Sequence, residues 1–290
     1  MHFDTIVFSG GGNRCFWQAG FWSVIESAMQ LRPLRVTAVS AGAAMACVLF
    51  AGTFESGFEG HKRAVLRNPY NLYVRNLLKA KPVFPHGAMY RAAILASINA
   101  AALERLHQGP DIQIVVARPP AWAPGRLAVV LGAVSAGVDA LNSHKLEAAA
   151  ARRLGFRPVH VSVRDCHTPQ ELADLIVASS CVPPLTPLMH ADGMPVLDGG
   201  LVGTVPTGPD GQAQGHTLVL LTRPFRRLQP QPGTLYVQPS SPVPVGTWDY
   251  TDDKALQAAY ELGQSDGAEF FATIRASTSR GSRPCLPHRC

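Results

Sequence analysis

Three groups of residues in this chain are equipped for chemistry. Gly10, Gly11 and Gly12, followed by Asn13 and Arg14, close the apolar run Ile6-Val7-Phe8. Ser40 stands 28 residues past Gly12, inside Ala38-Val39-Ser40-Ala41-Gly42, and Asp198 precedes Gly199-Gly200 far downstream. Serine is a weak nucleophile until a base takes its proton and donors hold the oxyanion that forms on the carbonyl it attacks. A glycine loop offers unhindered backbone N–H donors, and an acid can act as the base. Together the three groups point to serine-based acyl transfer.

Such residues must be positioned by neighbouring elements, and the sequence near them is regular. Phe3 to Phe8 reads as a buried strand, and Leu34 to Val39 as a second. Between them Phe16 to Met29 is expected to be helical, because Trp17, Phe21, Val24, Ile25 and Ala28 share one face at helical spacing. The aromatic group Phe16, Trp17, Phe21 and Trp22 is read as the buried side of that helix. Ala41 to Ala51 forms the next helix, so Ser40 falls on a sharp strand-to-helix turn that exposes its hydroxyl. The G-x-S-x-G pattern of such elbows has Ala38 in place of its first glycine. This strand, loop, helix, strand, turn, helix order begins a parallel sheet with helices on its faces.

Further along, helices are expected over Ala88 to His107 and Ser143 to Leu154, and strands over Ile112 to Val116 and Val159 to Val163. The stretch Arg118-Pro119-Pro120-Ala121-Trp122-Ala123-Pro124-Gly125 reads as a stiff loop beside a cleft. Thr168-Pro169-Gln170-Glu171 is a helix start, with Thr168 capping, Pro169 at the first helical position and Glu171 closing a capping box. That helix is expected to run to about Ser180, before Pro183-Pro184. Pro195 to Leu197 is a short strand leading into Asp198, Thr217 to Leu221 another, and Lys254 to Phe271 a last amphipathic helix. The length of 290 residues suits one catalytic domain over 1–273, with 274–290 a basic, disordered tail.

Each motif has a competing reading. Ala-Val-Ser-Ala-Gly recurs at 133–137, but Ser135 follows Arg126 to Gly132, a possible strand, with no glycine loop in a preceding unit. It reads as a turn or helix start packed with small residues, and Ser40 is the better nucleophile. The glycine loop is not a dinucleotide fingerprint, because Cys15 occupies the position of its last glycine, and it lacks the Gly-Lys-Ser/Thr of a phosphate loop. Arg14 either fixes this loop or meets a substrate phosphate, a surface ion pair being the plain alternative. Asp198-Gly199-Gly200 is either a turn or an acid delivered at a strand end. His160, His167 and His190 are the candidates for a histidine triad, and none stands in a hydrolase context.

Composition narrows the classes. The net charge of +6 falls to +2 without Arg275, Arg280, Arg283 and Arg289 of the tail, so the body is nearly neutral. With no base-reading module in the sequence, nucleic acid is not an expected partner. The six cysteines, Cys15, Cys47, Cys166, Cys181, Cys285 and Cys290, show no metal-ligand spacing. They are read as reduced or buried thiols of an intracellular protein, and neither metal nor cofactor is expected. The start Met1-His2-Phe3-Asp4 lacks a signal-peptide pattern, and the longest apolar stretch, Thr37 to Gly52, is shorter than the ~20 residues of a span. The expectation is a soluble, cytoplasmic protein with room for peripheral membrane contact, for which the basic tail is one candidate.

At this point the chain resembles the patatin-like phospholipase family. The likeness rests on Phe8-Ser9-Gly10-Gly11-Gly12-Asn13-Arg14, Val39-Ser40-Ala41-Gly42-Ala43, Ala178-Ser179-Ser180-Cys181-Val182-Pro183 with Pro187, and Asp198-Gly199-Gly200 with Pro206. These four motifs span 6–206 in the family's order, and Tyr260 to Phe271 is similar to its last helix. Ala38 and the unaligned middle region, 53–157, depart from it. The resemblance implies a three-layer α/β/α fold with a mostly parallel central sheet. It also implies a Ser40–Asp198 dyad without histidine, and an oxyanion hole from Gly10, Gly11 and Gly12 with Arg14 nearby. The implied substrate is a lipid or other acyl ester, cleaved by water or passed to an alcohol. A lipid-binding or regulatory module with a decayed site is the reading from another class, and Ala38 is its only support.

Overall fold

The computed structural model describes residues 2–79, 81–123, 125–141, 149–191, 193–203, 205, 215–225, 228 and 231–279. Strand β1 (Thr5–Phe8) is followed by a 3-10 turn over Gly12–Cys15 and by helix α1 (Phe16–Met29). Strand β2 (Arg35–Val39) then turns at Ser40 into α2 (Ala41–Phe50). Next come α3 (Phe54–Leu66), α4 (His86–Ser97), α5 (Ala100–Gln108), β3 (Asp111–Arg118), α6 (Gly125–Leu141) and α7 (Ala149–Arg153). The remainder is β4 (Arg157–Ser162), α8 (Pro169–Ser179), β5 (Met189–Ala191), β6 (Met194–Asp198), β7 (Thr217–Leu220), β8 (Thr234–Val237) and α9 (Asp253–Ser279).

Strands β3, β2, β1, β7 and β8 are parallel neighbours in that order, and β4 and β6 join β3 antiparallel. Alternation along the strands sends Ile6, Phe8, Val36, Ala38, Ile112, Ile114, Leu218 and Leu220 to the main core, under α1 to α5, α8 and α9. Val39, Val115 and Ala117 face the other way, where Val129 and Leu131 of α6 and Ala151 of α7 cover them. The mixed α/β fold with a mostly parallel sheet between helices is thus as expected, with one helical layer much the thicker.

Helix α1 packs against α9 almost backbone to backbone. A Cβ on Gly20 would lie 1.9 Å from the Tyr260 carbonyl oxygen, and one on Gly263 would lie 2.1 Å from that of Trp17. Phe16, Trp17, Phe21 and Trp22 are all buried, so the aromatic group is core. Among the described residues no helix is long and apolar enough to cross a membrane.

Several expectations need correction. The helix expected over Ala88 to His107 is two, because Ile98 is extended and Asn99 caps α5 through its side chain, which accepts from Ala102 N at 2.9 Å. Arg126 to Gly132 belongs to α6 rather than to a strand, and Ser135 lies within that helix, donating to the Gly132 carbonyl at 2.9 Å. The start of the helix expected over Ser143 to Leu154 lies outside the described residues. Helix α9 continues to Ser279, past the expected end at Phe271 and into the expected tail, while 280–290 lie outside the described residues. Helix α3 was missed although Phe54, Phe58 and Val65 are buried at helical spacing. The cap of α8 forms as read, with Thr168 Oγ1 accepting from Glu171 N at 3.1 Å. Glu171 closes the box one residue early, accepting from His167 N at 2.7 Å.

Candidate active site

The sheet itself explains why residues 40 and 198 meet. Residues Gln113 to Arg118 give one edge of β3 to β4, so β6 must pair on the opposite edge. That edge belongs to β2 as far as the pair Val39 with Val115. Beyond it β2 swings off into α2, and β6 enters the vacated lane from the other direction, with Asp198 opposite Val116. Ser40 and Asp198 are therefore successive occupants of one lane of the sheet. Gly199 makes the crossing possible, since a Cβ there would sit 2.2 Å from the Val115 carbonyl and 2.5 Å from Val39 Cγ2.

Ser40 has φ 55 and ψ −137, a strained geometry for a residue with a side chain, and it begins α2. Its N–H donates to Ser179 Oγ at 2.8 Å, and Ser179 Oγ donates to the Val115 carbonyl at 2.6 Å. Its own Oγ donates to Asp198 Oδ2 at 2.6 Å. The other carboxylate oxygen, Oδ1, accepts from Gly200 N at 2.7 Å. Burial pushes the Asp198 carboxyl up to about 6, against the hydrogen bonds from Ser40 and Gly200, which favour the anion. The structure thus brings two of the expected site residues into contact and tunes one of them toward neutral pH. Ala38, the departure in the elbow, is fully buried in the main core. Gly42 is where crowding is severe: a Cβ there would lie 2.5 Å from the Ser9 carbonyl oxygen.

The glycine loop faces the same place. Gly10 packs so closely that a Cβ would be 3.0 Å from Ser40 Cβ. Thr222, just past β7, donates through Oγ1 to the Gly10 carbonyl at 2.7 Å, and the Gly11 position leaves no room for a side chain beside it. Gly12 has φ +57, and a Cβ would lie 2.1 Å from the Thr247 carbonyl oxygen. Among the described residues, the N–H groups of Gly10, Gly11 and Gly12 have no hydrogen-bond acceptor. Arg14 braces the loop by donating through Nε to the Gly11 carbonyl at 3.3 Å, and it also lines the cleft.

That cleft, about 630 Å³ of open space, is lined by the glycine loop, Ser40, Asp198, Arg14, Thr222, Arg223, Thr247 and Trp248. Neither Arg14 nor Arg223 pairs with an acid among the described residues. Burial lowers the pKa of both, and the Arg14 charge lowers that of Arg223 further. Arg223 rests over the Phe225 ring at 4.5 Å. On the other side of Ser40 a narrow neck between His86, Tyr90, Ser180, Trp248 and Tyr250 leads away from the cleft. Beyond it lies an apolar cavity, about 590 Å³ including the solvent space it opens to. The cavity follows the face of α2 that carries Ala41, Ala44, Met45 and Val48, roughly 10 Å of helix. Phe54 and Phe58 of α3 and Ile94 of α4 also line it.

Other expected residues lie elsewhere. His160 sits on β4 opposite Val115, His167 precedes the cap of α8, and His190 is on β5; none hydrogen-bonds Ser40 or Asp198. Trp122 is exposed and lines neither the cleft nor the cavity. Pro206 lies outside the described residues. Cys15, Cys47, Cys166 and Cys181 are buried free thiols, each with its pKa raised by burial. Sequence reasoning missed Thr222 and the 247–250 loop, and assigned Ser179 no role within its motif. Thr222 had a usable signal, since it follows a strand end, where open parallel sheets bind ligands. The 247–250 loop had none: Asn13, Asn68, Asn71 and His86 bond to it from distant sequence positions.

The profile of the patatin-like phospholipase family matches residues 6–209. No curated relative matches the sequence. Among solved structures, VipD from Legionella pneumophila is similar, with a TM-score of 0.50 and 12% identity, over 94% of this chain and 67% of that one. At that identity the likeness speaks for the fold alone.

Proposed function

The chain belongs to the patatin-like phospholipase family, and on that premise we propose that it hydrolyses acyl ester bonds of lipids with Ser40 as nucleophile and Asp198 as its base. The family implies lipid acyl hydrolysis. The finer reading rests on one observation, the 2.6 Å hydrogen bond from Ser40 Oγ to Asp198 Oδ2 at the mouth of two adjoining cavities.

In this mechanism Asp198 takes the Ser40 proton as Oγ attacks the ester carbonyl. The oxyanion settles against the N–H groups of Gly10, Gly11 and Gly12, which have no acceptor among the described residues, near the N-terminus of α2 and the Arg14 charge. Collapse returns the proton from Asp198 to the leaving alcohol and leaves an acyl-serine. Water then attacks that ester with Asp198 again as base, and Ser40 is released. A carboxyl near pKa 6 suits both directions, being ionised at pH 7 yet a better proton acceptor than an ordinary carboxylate. The apolar cavity takes the acyl chain and the polar cleft the leaving alcohol. Two guanidinium groups without acid partners among the described residues favour an alcohol that bears phosphate.

The test is hydrolysis of a medium-chain p-nitrophenyl ester and a phospholipid by wild type, Ser40→Ala and Ser135→Ala, with fluorophosphonate labelling in parallel. Activity and labelling should vanish in Ser40→Ala and persist in Ser135→Ala. The reverse pattern, or a wild type inert to both esters and to the probe, removes the proposal.

A further inference from the structure

The apolar cavity holds polar groups that the reaction does not use. His61 of α3 lines it, and the side chain is almost wholly enclosed at 8% exposure. Its ring stacks on Phe16 at 5.6 Å and meets Tyr250 edge-on at 5.6 Å. Neither ring nitrogen has a hydrogen-bond partner among the described residues, and Nδ1 is completely buried. Tyr250 lines both the cavity and the neck toward Ser40. Its backbone is bonded to Asn71 and Asn68, yet its hydroxyl makes no hydrogen bond within the described residues.

His61 and the Tyr250 hydroxyl are thus polar groups without hydrogen-bond partners among the described residues on the wall of a mostly apolar cavity, and a ligand that displaces solvent there must bond them or leave them unsatisfied. We infer that the cavity selects acyl chains carrying a hydroxyl part-way along, held between His61 and the Tyr250 hydroxyl. A hydroxyl donates and accepts, so it serves either tautomer of a neutral imidazole and can accept from the tyrosine at the same time. Burial lowers the His61 pKa to about 4, which keeps the ring neutral. A plain alkyl chain would fill the same space and leave both groups unsatisfied, which is the condition for strong discrimination. The inference rests on the cavity being the acyl site of the proposed reaction, and its test separates the two.

The probes are p-nitrophenyl esters of one medium chain length, plain or hydroxylated at successive carbons, with rates normalised to the acetate ester, whose chain stops short of the cavity. One hydroxyl position should be preferred about tenfold or more in kcat/KM, the worth of one or two buried hydrogen bonds. His61→Phe, which keeps the ring stack, should erase that preference. In parallel, binding of free hydroxylated and plain fatty acids of the same length is measured by calorimetry, which needs no turnover. Equal affinity for the two, or a preference that survives His61→Phe, overturns the inference. An acetate ester left uncleaved while the hydroxylated acid still binds more tightly sinks the hydrolase reading and sustains this one.

Discussion

Asp198→Asn should abolish activity and stabilise the protein, and the size of the gain follows from the site. The carboxyl is pushed from 3.8 to about 6 by burial, so the folded chain holds this proton more tightly than the unfolded chain. The sign is fixed by that direction. The group's contribution to stability is whole below pH 3.8 and is lost as the pH rises through about 6. Two pKa units correspond to about 3 kcal/mol, the cost of holding the anion in its partly buried, desolvated site at pH 8. Asparagine fits the same hydrogen bonds: its Oδ1 accepts from Gly200 N, and its Nδ2 faces Ser40 Oγ where Oδ2 now accepts. It carries no charge, so it avoids the loss. Urea unfolding at pH 8 should therefore find Asp198→Asn more stable than wild type by about 3 kcal/mol, with the gap nearly closed at pH 4. A variant no more stable than wild type at pH 8, or a gap that is the same at both pH values, would refute the reasoning, whatever happens to activity.

Other expectations follow from the same geometry. The kcat/KM profile should fall tenfold per pH unit below about 6, since the dyad needs Asp198 ionised; a rate unchanged down to pH 5 would exclude it as the base. Ser179→Ala strands the Ser40 N–H and the Val115 carbonyl, and should lower stability by about 1–3 kcal/mol in urea unfolding while slowing turnover through a loosened elbow. Gly12→Ala places a side chain at φ +57 against the Thr247 carbonyl and should cost about a hundredfold or more in kcat with circular dichroism unchanged. Gly52→Ala, at φ +66 with open space around it, supplies the control: a loss of stability near 1 kcal/mol and full activity.

What the sequence by itself determined is local. Helix α1 was readable to its end residues because its aromatic face repeats at helical spacing, and the elbow was readable because a strand, a lone polar residue and a small-residue helix follow one another directly. The glycine loop, Ser40 and Asp198 were found from short motifs whose meaning lies within a few residues. The Asn99 cap and the Phe54, Phe58 and Val65 face were equally present, and were overlooked. Tertiary structure alone decided the rest. That Ser40 and Asp198, 158 residues apart, touch depends on β6 entering the lane that β2 leaves, a matter of its antiparallel pairing with β3. The pKa of Asp198 depends on how far the fold desolvates it, the cavity on three helices separated in sequence, and the lack of a hydrogen-bond partner for His61 among the described residues on what those helices offer it. Covalent neighbours set backbone geometry, but solvent exclusion and hydrogen-bond partnership are set by residues that only folding brings close.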